Sequence, residues 1–130
     1  MKSFFAGALL ALLCFAPARA GELPHPTGPV ILTITGDVAN SNGDGVAAFD
    51  MAMLQALPGR SASMETPWTN GVTRFDGPLL RAVLDAAGAK GKALKVKAIN
   101  DYAADVPMED ATGLDSMLAV KMNGEVMSVR

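Results

Sequence analysis

The sequence predicts a single α+β domain, in which short helices pack on a mixed or antiparallel β-sheet, and three observations support this fold class. Residues 30–35 (VILTIT) are β-branched and apolar, which is typical of a strand. Residues 79–87 place leucine, valine and alanine at helical spacing, and Gly88 follows as a left-handed cap. Asn123-Gly124 separates two short apolar runs and is the strongest hairpin signal in the chain.

The first twenty residues have the pattern of a signal peptide. Lys2 supplies the positive start, residues 4–16 form a short apolar stretch, and Ala18 and Ala20 form a small-x-small cleavage site. The apolar stretch is too short to span a membrane. We therefore predict cleavage after Ala20 and export, into a bacterial periplasm. Residues 21–29 are then an extended, loosely held lead-in, and residues 30–130 form the domain.

The charge and cysteine content of the mature chain exclude several functions. Loss of Lys2 and Arg19 leaves nine of the eleven basic residues against 13 acidic ones. Neither a basic run nor a basic helix face is present, so we expect no nucleic-acid partner and no membrane partner after cleavage. The only cysteine, Cys14, leaves with the signal peptide. The mature protein therefore has no disulfide and no thiolate for chemistry or metal binding.

The remaining elements follow from local signals. Asp50 is the predicted N-cap of a short helix over residues 51–57, which Pro58-Gly59 ends. Gly77 and Pro78 open the helix that Gly88 closes. The predicted strands are residues 61–66, 72–75 and 93–99, the two runs of the closing hairpin are 116–122 and 125–130, and residues 107–111 form one helical turn.

Five residues are candidates for a ligand-binding pocket. Trp68 and Tyr102, the only tryptophan and tyrosine, fall in predicted loops, and Asn100 and Asp101 end a strand beside Tyr102. Gly77 precedes a helix N-terminus that can receive an anion. The alternative is that both rings simply cap the hydrophobic core. No catalytic triad and no metal site can be assembled from the side chains of the mature chain.

Three segments together resemble a known family. Residues 68–91, 94–111 and 118–127 are similar to the oxidoreductase molybdopterin-binding domain of the sulfite oxidase family, and to the small exported proteins that carry little else. In this resemblance Phe75, Gly77, Leu79 and Leu80 seat the helix against the sheet. The NDY of residues 100–102 corresponds to the family's aspartate-glycine-tyrosine corner, shifted by one position.

The resemblance also implies two departures from the family. Family enzymes hold molybdenum through the pterin dithiolene and one cysteine, which would lie near residues 64–66, where this chain has none. Pterin phosphate needs clustered cations, and Arg60, Arg74 and Arg81 are not clustered in sequence. Relatives also continue beyond the closing hairpin, so the chain is expected to be shortened at Arg130.

These departures leave two functional hypotheses. The first is an exported, non-catalytic binding or sensory accessory without a cofactor, working with a periplasmic sensor or redox partner. The second is a molybdopterin-dependent oxidoreductase or electron-transfer subunit, because the resemblance allows molybdopterin as a cofactor.

Overall fold

The structure is a computed structural model that describes residues 23–128. The predicted signal peptide, residues 1–20, lies outside the described residues. The elements in chain order are β1 (Val30–Ile34), β2 (Ala47–Asp50), α1 (Met51–Gln55), β3 (Gly59–Met64), β4 (Thr73–Pro78), α2 (Leu80–Ala87), β5 (Ala93–Lys97), β6 (Ala103–Pro107), α3 (Met108–Gly113), β7 (Lys121–Met122) and β8 (Glu125–Val126). The predicted α+β class is confirmed.

The strands form three small sheets rather than the single sheet that the sequence predicts. β1 pairs with β2, β5 pairs with β6, and a four-stranded sheet has the order β3-β4-β7-β8. Every strand pair in the described part of the chain is antiparallel. Each pair joins strands that are neighbours in sequence, except β4 and β7. Local hairpins therefore determine most of the topology.

The hydrophobic core lies between the β1–β2 sheet and α2. Seven buried residues form it: Leu23, Ala47, Phe49, Leu54, Val83, Ala87 and Val120. On α2 the buried positions are Val83, Leu84 and Ala87, which belong to the predicted apolar stripe. Every helix within residues 23–128 is too short or too polar to cross a lipid bilayer.

Asp50 is the N-cap of α1, as predicted, and it also holds the lead-in. Its Oδ1 accepts a hydrogen bond from the Met53 N–H at 2.8 Å. Its Oδ2 accepts from the Thr27 and Gly28 N–H groups at 2.9 and 3.0 Å. Leu23 is buried in the core. The expectation of a loosely held lead-in is therefore wrong for residues 23–29. A local sequence pattern does not reveal these contacts, because Asp50 lies far from the lead-in along the chain.

Stability at low pH is expected to depend on Asp50. Hydrogen bonds from Met53, Gly28 and Thr27 hold the pKa of its carboxyl below the ordinary value. A folded-state pKa below the unfolded-state value stabilises the protein above about pH 4, and that stabilisation disappears as the pH falls through the folded-state pKa. Asp50→Asn should therefore lower Tm at pH 7 and flatten the fall of Tm in acid. Thermal melts across pH test this, with Asp44→Asn in an exposed turn as the control.

Helix α2 begins two residues later than the sequence predicts. Gly77 and Pro78 pair with Arg60 and Gly59, so they belong to β4 rather than to the helix. Leu79 is extended, at φ −63° and ψ 136°, and precedes the helix. Gly88 ends α2 in the left-handed conformation, at φ 58°, as predicted. Strand pairing therefore overrides the preference of a Gly-Pro pair for a helix start.

The closing hairpin has the predicted turn but shorter strands. Asn123 and Gly124 both have positive φ, at 50° and 82°, as a two-residue hairpin turn requires. Before the turn, the Leu118 and Val120 N–H groups donate to carbonyls of β4, each at 2.9 Å. The segment that leads into β7 thus runs along β4 and closes over the base of the β3–β4 hairpin.

Candidate functional site

The β3–β4 hairpin presents two chemically different faces. Residues that are directly opposite in an antiparallel pair share a face, and successive residues alternate between faces. Ser61 lies opposite Asp76, and Asp76 lies opposite Lys121 on β7. Ala62 lies opposite Phe75 on the other face. The first face is therefore charged and the second is largely apolar.

Asp76 is the centre of the charged face. Its Oδ1 accepts hydrogen bonds from the Ser61 hydroxyl and from Arg74, whose Nε and Nη2 lie 3.2 and 3.0 Å away. The Ser61 hydrogen bond and the Arg74 guanidinium hold the pKa of Asp76 below its ordinary value, and Lys121 adds to the effect. Its Oδ2 is buried and receives no hydrogen bond from the residues that the structure describes. Asp76 is thus ionised and internally paired through one oxygen.

A cavity of about 330 Å³ lies beside Asp76. Its polar lining comes from Gln55, Arg60, Ser61, Asp76 and Lys121, and its apolar lining includes Leu54, Leu57, Pro78 and Val120. The cavity is large enough for a small ligand. Arg60, Lys121 and the Arg74 that pairs with Asp76 outnumber this one carboxylate, so the edge of the cavity carries a net positive charge.

The apolar face carries a second cavity, which we call the methionine groove, with a volume of about 400 Å³. It is lined by Arg60, Ala62, Met64, Thr66, Phe75, Asp115, Ser116, Met117 and Ala119. Met64 is an exposed residue on β3. The groove includes Met64 and Thr66, the region where the sequence resemblance places the molybdenum-ligating cysteine.

Two arginines converge on Asp115 at one end of the methionine groove. Arg81 Nη1 lies 2.7 Å from Asp115 Oδ1, and Arg60 Nη1 donates to the Asp115 carbonyl at 2.7 Å. The hydrogen bond from Arg81 lowers the pKa of Asp115, and the nearby charge of Arg60 contributes. Arg81 thus pairs with the Asp115 carboxylate, whereas Arg60 is held by the Asp115 backbone carbonyl. The two guanidinium groups and this one carboxylate leave one excess positive charge at this end of the groove.

This cluster is not evident from the sequence, because its members are far apart in the chain. Arg60 is on β3, Arg81 is on α2, and Asp115 follows α3. The arginines are far apart in the sequence, as stated above, but two of them are close together in the fold. Arg60 and Arg81 both donate hydrogen bonds to Asp115. In the sequence, Arg60 and Arg81 each lie near the start of a predicted strand or helix. Those positions do not indicate that Asp115 lies beside both of them.

Gly77 has a structural reason to be glycine. A Cβ at this position would overlap the Leu118 carbonyl, and its next neighbours would be the Leu118 carbonyl carbon at 2.8 Å and the Ala119 Cα at 3.0 Å. The start of α2, where an anion was expected, is covered by the same segment, since the Leu80 N–H donates to the Ser116 carbonyl at 2.8 Å. Gly77 therefore allows close packing of backbone against backbone.

Trp68 lies at the tip of the β3–β4 hairpin, in the loop of residues 65–72. Its side chain is 90% exposed, so the interpretation that it caps the core is wrong. The loop is internally bonded: Thr66 Oγ1 lies 2.9 Å from Thr69 Oγ1 and accepts from the Trp68 N–H at 3.3 Å. Hydrogen bonds within the loop therefore hold its backbone around Trp68.

Asn100, Asp101 and Tyr102 form the tip of the β5–β6 hairpin. Tyr102 is 71% exposed, so it does not cap the core either. Asp101 has a positive φ of 64° and forms an ion pair with Lys97 at 2.9 Å, and the Tyr102 N–H donates to Asn100 Oδ1 at 3.3 Å. The polar groups of Asn100 and Asp101 thus serve the turn.

The structure does not gather the five predicted ligand-binding residues into one cavity. Gly77 lines the cavity beside Asp76, and none of the other four lines that cavity. Gly77 is at the base of the β3–β4 hairpin, whereas Trp68 is at its tip, roughly 15 Å away along the strands. Asn100–Tyr102 belong to a different sheet. A ligand-binding role for each of these residues remains a prediction.

Comparison with known proteins identifies the family. Residues 45–130, about two thirds of the chain, match the sequence model of the oxidoreductase molybdopterin binding domain. The chain belongs to this family. No curated protein matches it. The match to this molybdopterin-binding domain includes β2 to β8 and therefore both faces of the β3–β4 hairpin.

The donor atoms of this molybdopterin-binding domain do not fit a cysteine-ligated molybdenum. Residues 23–128 contain no cysteine, because the only one is Cys14. Met64 supplies only an uncharged thioether at the expected position, which is a weaker donor than a thiolate. Within the described residues no group of three His, Cys, Asp or Glu side chains is placed to hold a metal ion.

Proposed function

We propose that this molybdopterin-binding domain is exported and acts as a non-catalytic binding or sensory accessory. The observation that carries the proposal is the chemistry near Met64 and Thr66, where the family's cysteine is expected and an apolar groove lies instead. The segment offers molybdenum a thioether from Met64 and a hard carboxylate from Glu65, and neither is the soft thiolate that the family uses. A fold that keeps its frame while losing its metal ligand is suited to binding or signalling.

The two arginines beside the groove favour binding over simple structural support. Arg60 and Arg81 are both anchored to Asp115 and are partly exposed. Their positive charge is therefore held in place at the surface, beside an apolar cavity. A periplasmic sensor or redox subunit is the kind of partner that would use such an accessory.

Dependence on the cofactor can be tested by genetics. The protein is produced in cells that make molybdopterin and in otherwise identical cells that cannot, and Tm is measured for both preparations. A bound ligand raises the stability of the folded state, so a cofactor-dependent protein would melt at a higher temperature when it comes from the first cells. We expect the same Tm and the same intact mass from both. A higher Tm from cofactor-producing cells would contradict the proposal.

Export is tested separately. The sequence predicts that the periplasmic fraction contains a chain beginning at Gly21. N-terminal sequencing of that fraction checks the cleavage site, and a variant with bulky residues at Ala18 and Ala20 serves as the control. Recovery of the full-length chain from the cytoplasm alone would contradict export.

The second candidate, a molybdopterin-dependent oxidoreductase or electron-transfer subunit, has one observation in its favour. The fold brings Arg60 and Arg81 together, and clustered guanidinium groups suit a phosphate. It requires a molybdenum ligand other than cysteine. The comparison of the two cell types also tests this candidate, because it predicts the higher Tm.

A further inference from the structure

The methionine groove has an apolar floor and is open to solvent. Ala62, Met64, Phe75 and Met117 contribute most of its apolar lining. Methionine side chains adapt to ligands of different shape because they are flexible and polarisable. A volume of about 400 Å³ is in the range of cavities that bind small molecules. The body of a ligand that fits this groove should therefore be apolar.

The charged side chains at the groove determine whether a ligand there should be an anion or a cation. Arg60 lines the groove, and Arg81 reaches it through Asp115. A guanidinium group has five N–H donors. The hydrogen bonds formed with described residues use only the Nη1 atom of each arginine. Both arginines thus have donors left for an anion, and their combined charge exceeds that of Asp115.

The other end of the groove lies next to the exposed tryptophan. Thr66 lines the groove and accepts a hydrogen bond from the Trp68 N–H. The groove therefore runs between a positive end at Arg60 and the Trp68 loop.

We infer that the methionine groove binds a small organic anion, in which an aromatic or aliphatic body carries one carboxylate. The body lies on Met64, Phe75 and Met117, and the carboxylate receives hydrogen bonds from Arg60 and Arg81. This inference rests on the proposed binding role and names its ligand class.

The test uses 3-phenylpropionate as the probe and the mature protein labelled with nitrogen-15. Backbone amide signals of Met64, Thr66, Ser116 and Met117 should shift and saturate. The uncharged analogue 3-phenylpropanamide, of the same shape, should bind about tenfold more weakly, because it lacks the charge that strengthens hydrogen bonds to arginine. This comparison needs no variant.

Variants then locate the charge. Arg60→Gln and Arg81→Gln should each weaken binding of the probe by about tenfold, whereas Arg74→Gln, on the opposite face of the hairpin, should not. Equal binding of acid and amide, the absence of saturable shifts, or shifts outside the groove would each overturn the inference. Such a result would leave the equal-Tm prediction for the two cell types untouched, so the two proposals can fail separately.

Discussion

Replacing Gly77 with alanine is expected to destabilise the protein by about 3 kcal/mol or more, since overpacking of this kind usually costs 1–3 kcal/mol and here the obstacle is backbone. The new Cβ would overlap the Leu118 carbonyl, and neither backbone segment can rotate away. β4 and the segment leading into β7 would have to separate, which breaks the hydrogen bonds from Leu118 and Val120 to β4. Chemical denaturation measures the loss.

A second glycine provides the control. Gly113, at the end of α3, has open space where a Cβ would be, and its φ is not in the left-handed region. Gly113→Ala should leave stability unchanged or raise it by roughly 0.4–1 kcal/mol, because alanine restricts the unfolded chain. If Gly77→Ala were as well tolerated as Gly113→Ala, the close approach of β4 and Leu118 would be wrong.

Truncating Phe49 is expected to have a similarly large effect. Phe49 is 1% exposed and packs in the main core cluster. Phe→Ala substitutions in cores cost about 3–5 kcal/mol, from lost burial and from the cavity that remains. A domain of this size has roughly 5–15 kcal/mol in total. We therefore expect Phe49→Ala to be marginally folded at 37 °C by circular dichroism and denaturation.

The matched control for Phe49 is an exposed apolar residue. Ile99 is 83% exposed at the tip of the β5–β6 hairpin. Ile99→Ala should change the free energy of unfolding by less than about 0.5 kcal/mol. Equal losses in both variants would mean that the core is not centred on β2 and α2.

Local signals predicted most elements of the fold. The Asp50 cap, the Gly88 cap and the Asn123-Gly124 turn depend on neighbouring residues only, and the structure confirms all three. The start of α2 was wrong because Gly77-Pro78 pairs with β3, and pairing partners distant in sequence are invisible to a local pattern. The division into three sheets was missed for the same reason.

The candidate site was harder to predict than the fold. Trp68 and Tyr102 were chosen because each is the only residue of its type in the chain. That fact gives no information on whether the two hairpin tips that carry them lie close together. The pairing of Arg60 and Arg81 on Asp115 depends on β3, α2 and the segment after α3 meeting at one point. No motif encodes such a meeting. The resemblance to the family located the region near Met64, and the fold then revealed its neighbours.

The molybdenum and pterin content of the mature protein tests the non-catalytic proposal most directly. The protein is purified from the periplasm of cells supplied with molybdate, and both components are measured per chain. A chain without a cysteine among residues 23–128 should contain neither in stoichiometric amount. One molybdenum atom and one pterin per chain would contradict the proposal and would mean that a donor other than a thiolate holds the metal.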